Sequence, residues 1–116
     1  MEPVFDRNGL TVGWLRNDVV FDKNSNPCAF IRNKAIFTYQ GRYLGTLNKG
    51  FFRDQSGAAV AFMRKATGGP VLPVPAVPPV PAVPAVPPIP PIPPIPPVPP
   101  VPSLGWSSIS WDEFVN

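Results

Sequence analysis

Val4-Phe5-Asp6-Arg7-Asn8-Gly9-Leu10-Thr11-Val12-Gly13-Trp14-Leu15-Arg16-Asn17-Asp18-Val19 is one 16-residue unit of a pattern that runs four times without gaps. Four columns carry the repeat. Positions 9, 25, 41 and 57 hold Gly9, Ser25, Gly41 and Gly57, and positions 13, 29, 45 and 61 hold Gly13, Ala29, Gly45 and Ala61. Leu15, Ile31, Leu47 and Met63 follow, while the column between reads Trp14, Phe30, Thr46 and Phe62, so large residues occupy both faces of these segments. A fifth column, Val4, Val20, Ile36 and Phe52, is apolar throughout. Its neighbour reads Phe5, Phe21, Phe37 and then Arg53, where the fourth unit departs and Phe51 is the candidate substitute.

Each unit reads as two short strands joined by a turn, with a second reversal at Arg16-Asn17-Asp18 and its equivalents. Asp6, Asp22 and Asp54 can accept hydrogen bonds from backbone two residues on. Gly9, Gly41 and Gly57 can take the positive φ that a turn with a bulge requires. In the second unit Ser25 stands in the glycine's place, and Asn24 or Asn26 is the expected left-handed residue. The fold class is therefore all-β: four tandem hairpin repeats in a pseudo-fourfold meander or barrel. Gly13, Ala29, Gly45 and Ala61 are the candidates for its crowded structural axis. The alternative is that these small residues only relieve strand twist.

The chain has 116 residues, but 18 of its 20 prolines lie between Pro70 and Pro102, which leaves one small packed unit over 1–66. Residues 67–69 read as a glycine linker, 70–102 as a proline rod and 103–116 as an aromatic C-terminal anchor. From Val71 to Val101 every third residue is Val or Ile: Val71, Val74, Val77, Val80, Val83, Val86, Ile89, Ile92, Ile95, Val98 and Val101. A polyproline II helix has three residues per turn, so these side chains share one edge. Thirty-two residues at about 3.1 Å each would reach on the order of 100 Å. With no Gly, Asn or Asp between Val71 and Pro102, reversal without a cis proline is not expected. The rod is expected to stay straight and to hold Trp106 and Trp111 away from the repeats of their own chain. Beyond it, Ser110 and Glu113 have capping-box spacing, while Trp106 to Trp111 also reads as a short strand.

All ten basic residues and five of the seven acidic ones lie at or before Lys65. The basic ones are dispersed singly through turn-like segments, with no contiguous stripe for a phosphate backbone, and nucleic acid is disfavoured as a partner. Cys28 is the only cysteine and there is no histidine, so an intrachain disulfide and a zinc site are excluded. Asp22-Lys23-Asn24-Ser25-Asn26 alternates oxygen ligands but lacks the Glu of a calcium loop. No phosphate-binding glycine motif is present. No catalytic residue, metal or cofactor is expected. No 18-residue apolar run free of proline exists, and the start carries no secretory pattern, so a cytoplasmic protein without a membrane span is the expectation.

Several stretches together resemble the four-fold beta flower proteins, a small bacterial family: Val4-Phe5-Asp6-Arg7-Asn8-Gly9, Val12-Gly13-Trp14-Leu15, Gly50-Phe51-Phe52-Arg53-Asp54, the valine-proline array, and Trp106-Ser107-Ser108-Ile109-Ser110-Trp111-Asp112-Glu113-Phe114. The resemblance spans almost the whole chain. It implies a pseudo-fourfold β fold and a bacterial source, and it implies no reaction.

The expected function is that of a non-enzymatic structural or protein-interaction protein, with a β head, a stiff stalk and a docking tail. Its partner is another protein or a second copy in a homo-oligomer. The candidate interaction residues are the eleven Val and Ile of the row together with Trp106, Ile109, Trp111 and Phe114. The rival expectation is a nucleic-acid or small-ligand-binding β module tethered by a proline-rich spacer. An isolated head that keeps its binding after deletion of Pro70 to Asn116 would favour the rival.

Overall fold

The computed structural model describes residues 1–116. Eight strands follow in chain order: β1 (Glu2–Phe5), β2 (Thr11–Arg16), β3 (Val19–Asp22), β4 (Pro27–Arg32), β5 (Ala35–Thr38), β6 (Tyr43–Asn48), β7 (Phe51–Arg53) and β8 (Ala59–Phe62). Each pairs antiparallel with the next, and Phe5 against Phe62 joins β1 to β8, closing the barrel.

The 16-residue period is a period of geometry. Val4, Val20, Ile36 and Phe52 stand opposite Gly13, Ala29, Gly45 and Ala61 in their respective hairpins. Directly opposed residues of an antiparallel pair share a face, so four large and four small side chains fill one layer of the barrel interior. Gly45 could hold nothing larger, because a Cβ there would lie 1.9 Å from the Arg53 carbonyl oxygen. The register then slips by one residue in every hairpin, at Val4/Phe5, Val20/Phe21, Ile36/Phe37 and Phe52/Arg53. The extra residues opposite these slips are Val12, Cys28, Leu44 and Val60, all packed into the interior cluster. A bulge adds one residue to one strand and re-aims it; here it adds an apolar layer that strict alternation does not reveal.

Both kinds of reversal have local causes. Asn17-Asp18, Asn33-Lys34 and Lys49-Gly50 have positive φ at both residues, as two-residue hairpin turns matched to strand twist require. In the wider loops the Asp6 carboxylate accepts from the Asn8 and Leu10 amides at 2.9 and 3.0 Å, and Asp22 and Asp54 do the same in their units. Ser25 itself takes the left-handed conformation, at φ 64°, in place of the expected Asn24 or Asn26. Its hydroxyl is buried without a partner. Ser25→Gly is expected to stabilise the protein by about 1 kcal/mol, since glycine relieves the left-handed strain and removes the orphan hydroxyl at a smaller entropic cost. A urea midpoint equal to or below that of the wild type would contradict this.

The proline segment does not run straight out. The Ala76 amide donates to the Gly9 carbonyl (2.9 Å), Ala85 to Ser25 (3.0 Å) and Ser103 to Gly57 (3.1 Å). These carbonyls belong to the loops of hairpins one, two and four. The segment starts beside Phe51 in the fourth hairpin and returns to it, having made one circuit of the barrel. The stalk expectation is thus corrected, and no peptide bond is cis. One turn shared among 32 residues asks about 11° of each, less than the 15–20° by which backbone dihedrals ordinarily scatter. A contour on the order of 100 Å is also the perimeter of a disc roughly 32 Å across, and the molecule measures 36 × 35 × 21 Å.

The circuit explains the aromatic residues on the outer face. Phe5, Phe21 and Phe37, with Trp14, Phe30 and Phe62, follow or precede interior residues in their strands and so point outward, yet all are buried. One layer of strands cannot cover its own outside; residues 67–116 are the only chain left to do so. Leu72 and Trp106 pack on the Phe5, Phe51 and Phe62 cluster, and Phe21 shares a cleft with Pro84 and Pro87. Polyproline lies readily on aromatic surface because its conformational entropy is already low. Here that surface belongs to its own chain.

Candidate functional site: the rim and its fastening

The eleven Val and Ile of the row all point away from the barrel, from 87% exposed at Val101 to 96% at Ile95. A segment with three residues per turn that lays its other rows toward the barrel must turn the third outward all the way round. The result is a continuous aliphatic rim on a disc, with no charged residue between Ala66 and Trp111.

The tail residues go elsewhere. Ala59 pairs with Trp106 in a parallel bridge. The Ser107 amide donates to the Ala59 carbonyl at 2.7 Å, and the Trp106 ring lies 6.4 Å from Phe51 and 6.1 Å from Phe62. A helix, α1 (Trp111–Val115), follows, with both halves of the Ser110/Glu113 capping box formed, so the capping-box reading holds over the strand. It plugs the loop end of the barrel. Trp111 stands edge-on to Phe52 at 5.3 Å and 5.9 Å from Phe114, and Phe114 and Ile109 belong to the interior cluster. Trp111 and Phe114 are thus core residues of their own chain and not free anchors, whereas Trp106 and Ile109 are half-buried.

Arg53, which breaks the phenylalanine column, fastens the circuit. It is 1% exposed. Its Nη1 donates to the carbonyls of Gly57 and Ser103, each at 2.7 Å, and its Nη2 to that of Gly68 at 2.9 Å. Its guanidinium lies 5.3 Å from the centre of the Phe51 ring. Gly68 precedes the proline segment and Ser103 follows it, so one side chain holds both ends. Burial lowers its pKa from the ordinary arginine value. The sequence marked Arg53 as a departure, and an aromatic column ended by a fork of five donors was the available signal.

Asp54, beside it, holds the tail: Ser107 Oγ and Ser56 Oγ both donate to its carboxylate. Burial pushes the Asp54 pKa up, but the hydrogen bonds from Ser107, Ser56 and the Ala58 and Ser56 amides outweigh it and hold the carboxyl below its ordinary value. A carboxyl depressed in the folded state contributes stability above its unfolded pKa, near 3.9, and loses it as pH falls through the folded value. Asp54→Asn is therefore expected to be less stable than wild type at pH 7, with the difference shrinking below about pH 4. Chemical denaturation at several pH values checks this; a gap independent of pH would contradict it.

One quarter of the rim is unpinned. The donors Ala76, Ala85 and Ser103 fall on a nine-residue spacing whose missing member is Pro94, which has no N–H for the third hairpin. Nothing lies within 4 Å of a Cβ built on Gly41 at that loop. On one side of this hairpin a cleft of about 430 Å³ runs between Lys34, Tyr43 and Arg53 and the segment Pro96–Pro102. Burial and then the charge of Asp22 push the Cys28 thiol up to about 12, and its Sγ donates to the Val20 carbonyl at 3.3 Å. No three of His, Cys, Asp and Glu come together. No helix is long and apolar enough to cross a membrane.

A family model described as 4-fold beta flower protein matches residues 2–115. No curated protein and no solved structure matches the chain.

Proposed function

We propose that this chain, which belongs to the 4-fold beta flower family, is a non-enzymatic structural protein that works through contact with other proteins along its aliphatic rim. The observation that carries this is the outward row itself. Eleven β-branched side chains are held at 87–96% exposure where any of the three rows of the segment could have faced solvent. Exposed apolar surface of this continuity marks interaction sites. A second copy suits it first, because two rims present the same side chains at the same spacing of about 9 Å and can interlock.

Val77→Glu, Ile89→Glu and Val98→Glu together test the proposal without touching a buried residue. Light scattering across a concentration series is expected to show the wild type rising above its 12.6 kDa monomer mass while the triple variant stays there. A wild type that remains monomeric throughout, or a triple variant that associates equally, would contradict it.

A further inference from the structure

Cations dispersed in the sequence are gathered by the fold. The turns between hairpins carry Arg16, Arg32, Lys34, Lys49, Arg64 and Lys65, all exposed, and they lie at one end of the barrel. Only Asp18 and Glu2, which pairs with Leu15, bring acidic charge there. Six cations against two anions leave that end at +4. The opposite end, with the wide loops and α1, holds Arg7, Lys23 and Arg42 against Asp6, Asp22, Asp54, Asp112 and Glu113, which is −2. With the buried Arg53 the total is the chain's +3. A period of 16 residues converts single basic residues into a ring, which corrects the expectation of scattered charge.

Apolar surface borders the ring on both sides. Leu15 and Leu47 are half-buried within it and pack on the interior cluster. The proline segment approaches it at two places: Arg16 and Val86 line one cleft, and Lys34 and Val101 line another. We propose that this basic end is a docking face for an anionic lipid surface. Clustered Lys and Arg are drawn to a negatively charged leaflet, about 1 kcal/mol for each, and Leu15 and Leu47 lie among them. Nucleic acid fits less well, since these turns present Asn, Lys and Arg and no exposed aromatic ring on which a base could stack. The inference rests on the charge of this end and stands apart from contact between rims.

Co-sedimentation of the full chain with phosphatidylcholine vesicles, with and without phosphatidylserine, is the test. The wild type is expected to partition onto the phosphatidylserine vesicles only, and less so as salt is raised. Lys34→Gln with Lys49→Gln should weaken partitioning about thirtyfold, while Lys23→Gln with Arg42→Gln, matched in charge at the opposite end, should leave it unchanged. Failure of the wild type to bind the anionic vesicles, or equal weakening by both pairs, would overturn the proposal. Tighter binding of a single-stranded oligonucleotide than of the vesicles would overturn it in favour of nucleic acid.

Discussion

Alanine in place of Arg53 is expected to lower folding stability by about 4 kcal/mol, a large part of the 5–15 kcal/mol typical of a domain. Three hydrogen bonds from a charged donor would be lost at once. The carbonyls of Ser103 and Gly68 would lose the side chain that holds them, and the buried Gly57 carbonyl would keep only the Ser103 amide. The effect should exceed that of an ordinary surface arginine because this one side chain hydrogen-bonds both ends of the circuit, and its loss would loosen the prolines between them from the outer aromatics. Arg53→Lys should recover only part of the loss, since one ammonium cannot hold three carbonyls in the geometry of a planar fork. Arg53→Phe, which restores the column of Phe5, Phe21 and Phe37, would fill the space and still leave both ends untied. Urea unfolding of the three variants checks the order. A phenylalanine variant as stable as wild type would show that Arg53 serves packing alone.

Trp111→Ala is expected to cost about 3–5 kcal/mol. The indole closes the loop end of the barrel, edge-on to Phe52, and approaches to 3.3 Å from where a Cβ on Gly13 would sit. The glycine in the first hairpin thereby acquires a second role, making room for the plug. Were the tail a free docking peptide, the same substitution would leave thermal unfolding where it was. Loss of the plug would expose Val12, Leu44 and Val60, so dye binding to apolar surface should rise along with the fall in stability.

The repeat was legible because its causes are local. Asp at the loop starts, Gly at the positive-φ places and small residues opposite Val4, Val20, Ile36 and Phe52 each act within one hairpin, and one period revealed all of them. The one-residue slip in each hairpin was not legible, because a bulge is set by pairing and leaves the apolar count unchanged. The course of the proline segment was not legible for a different reason. Polyproline is stiff over a few residues, but over 32 a small bend per residue closes the circle once there is surface to follow. That surface was visible as aromatic residues on the second face of each strand, Trp14 and Phe30 among them, and what they lacked in the sequence was a stated cover. The charged end was illegible for the converse reason: Arg16, Arg32 and Arg64 are neighbours only after the barrel closes.

The truncation that first suggests itself is also disqualified by the structure. Removing Pro70 to Asn116 would strip Leu72 and Trp106 from Phe5, Phe51 and Phe62 and the plug from the core, so its behaviour would report misfolding and not the binding of an isolated head.

The proline segment encircles the barrel of its own chain. Small-angle X-ray scattering from the monomeric full chain tests it most directly. The account predicts a radius of gyration close to the 13.2 Å of the structure, which is also the value of about 13 Å expected for a compact chain of this length. A maximum dimension on the order of 100 Å, the reach of a straight polyproline rod, would contradict it.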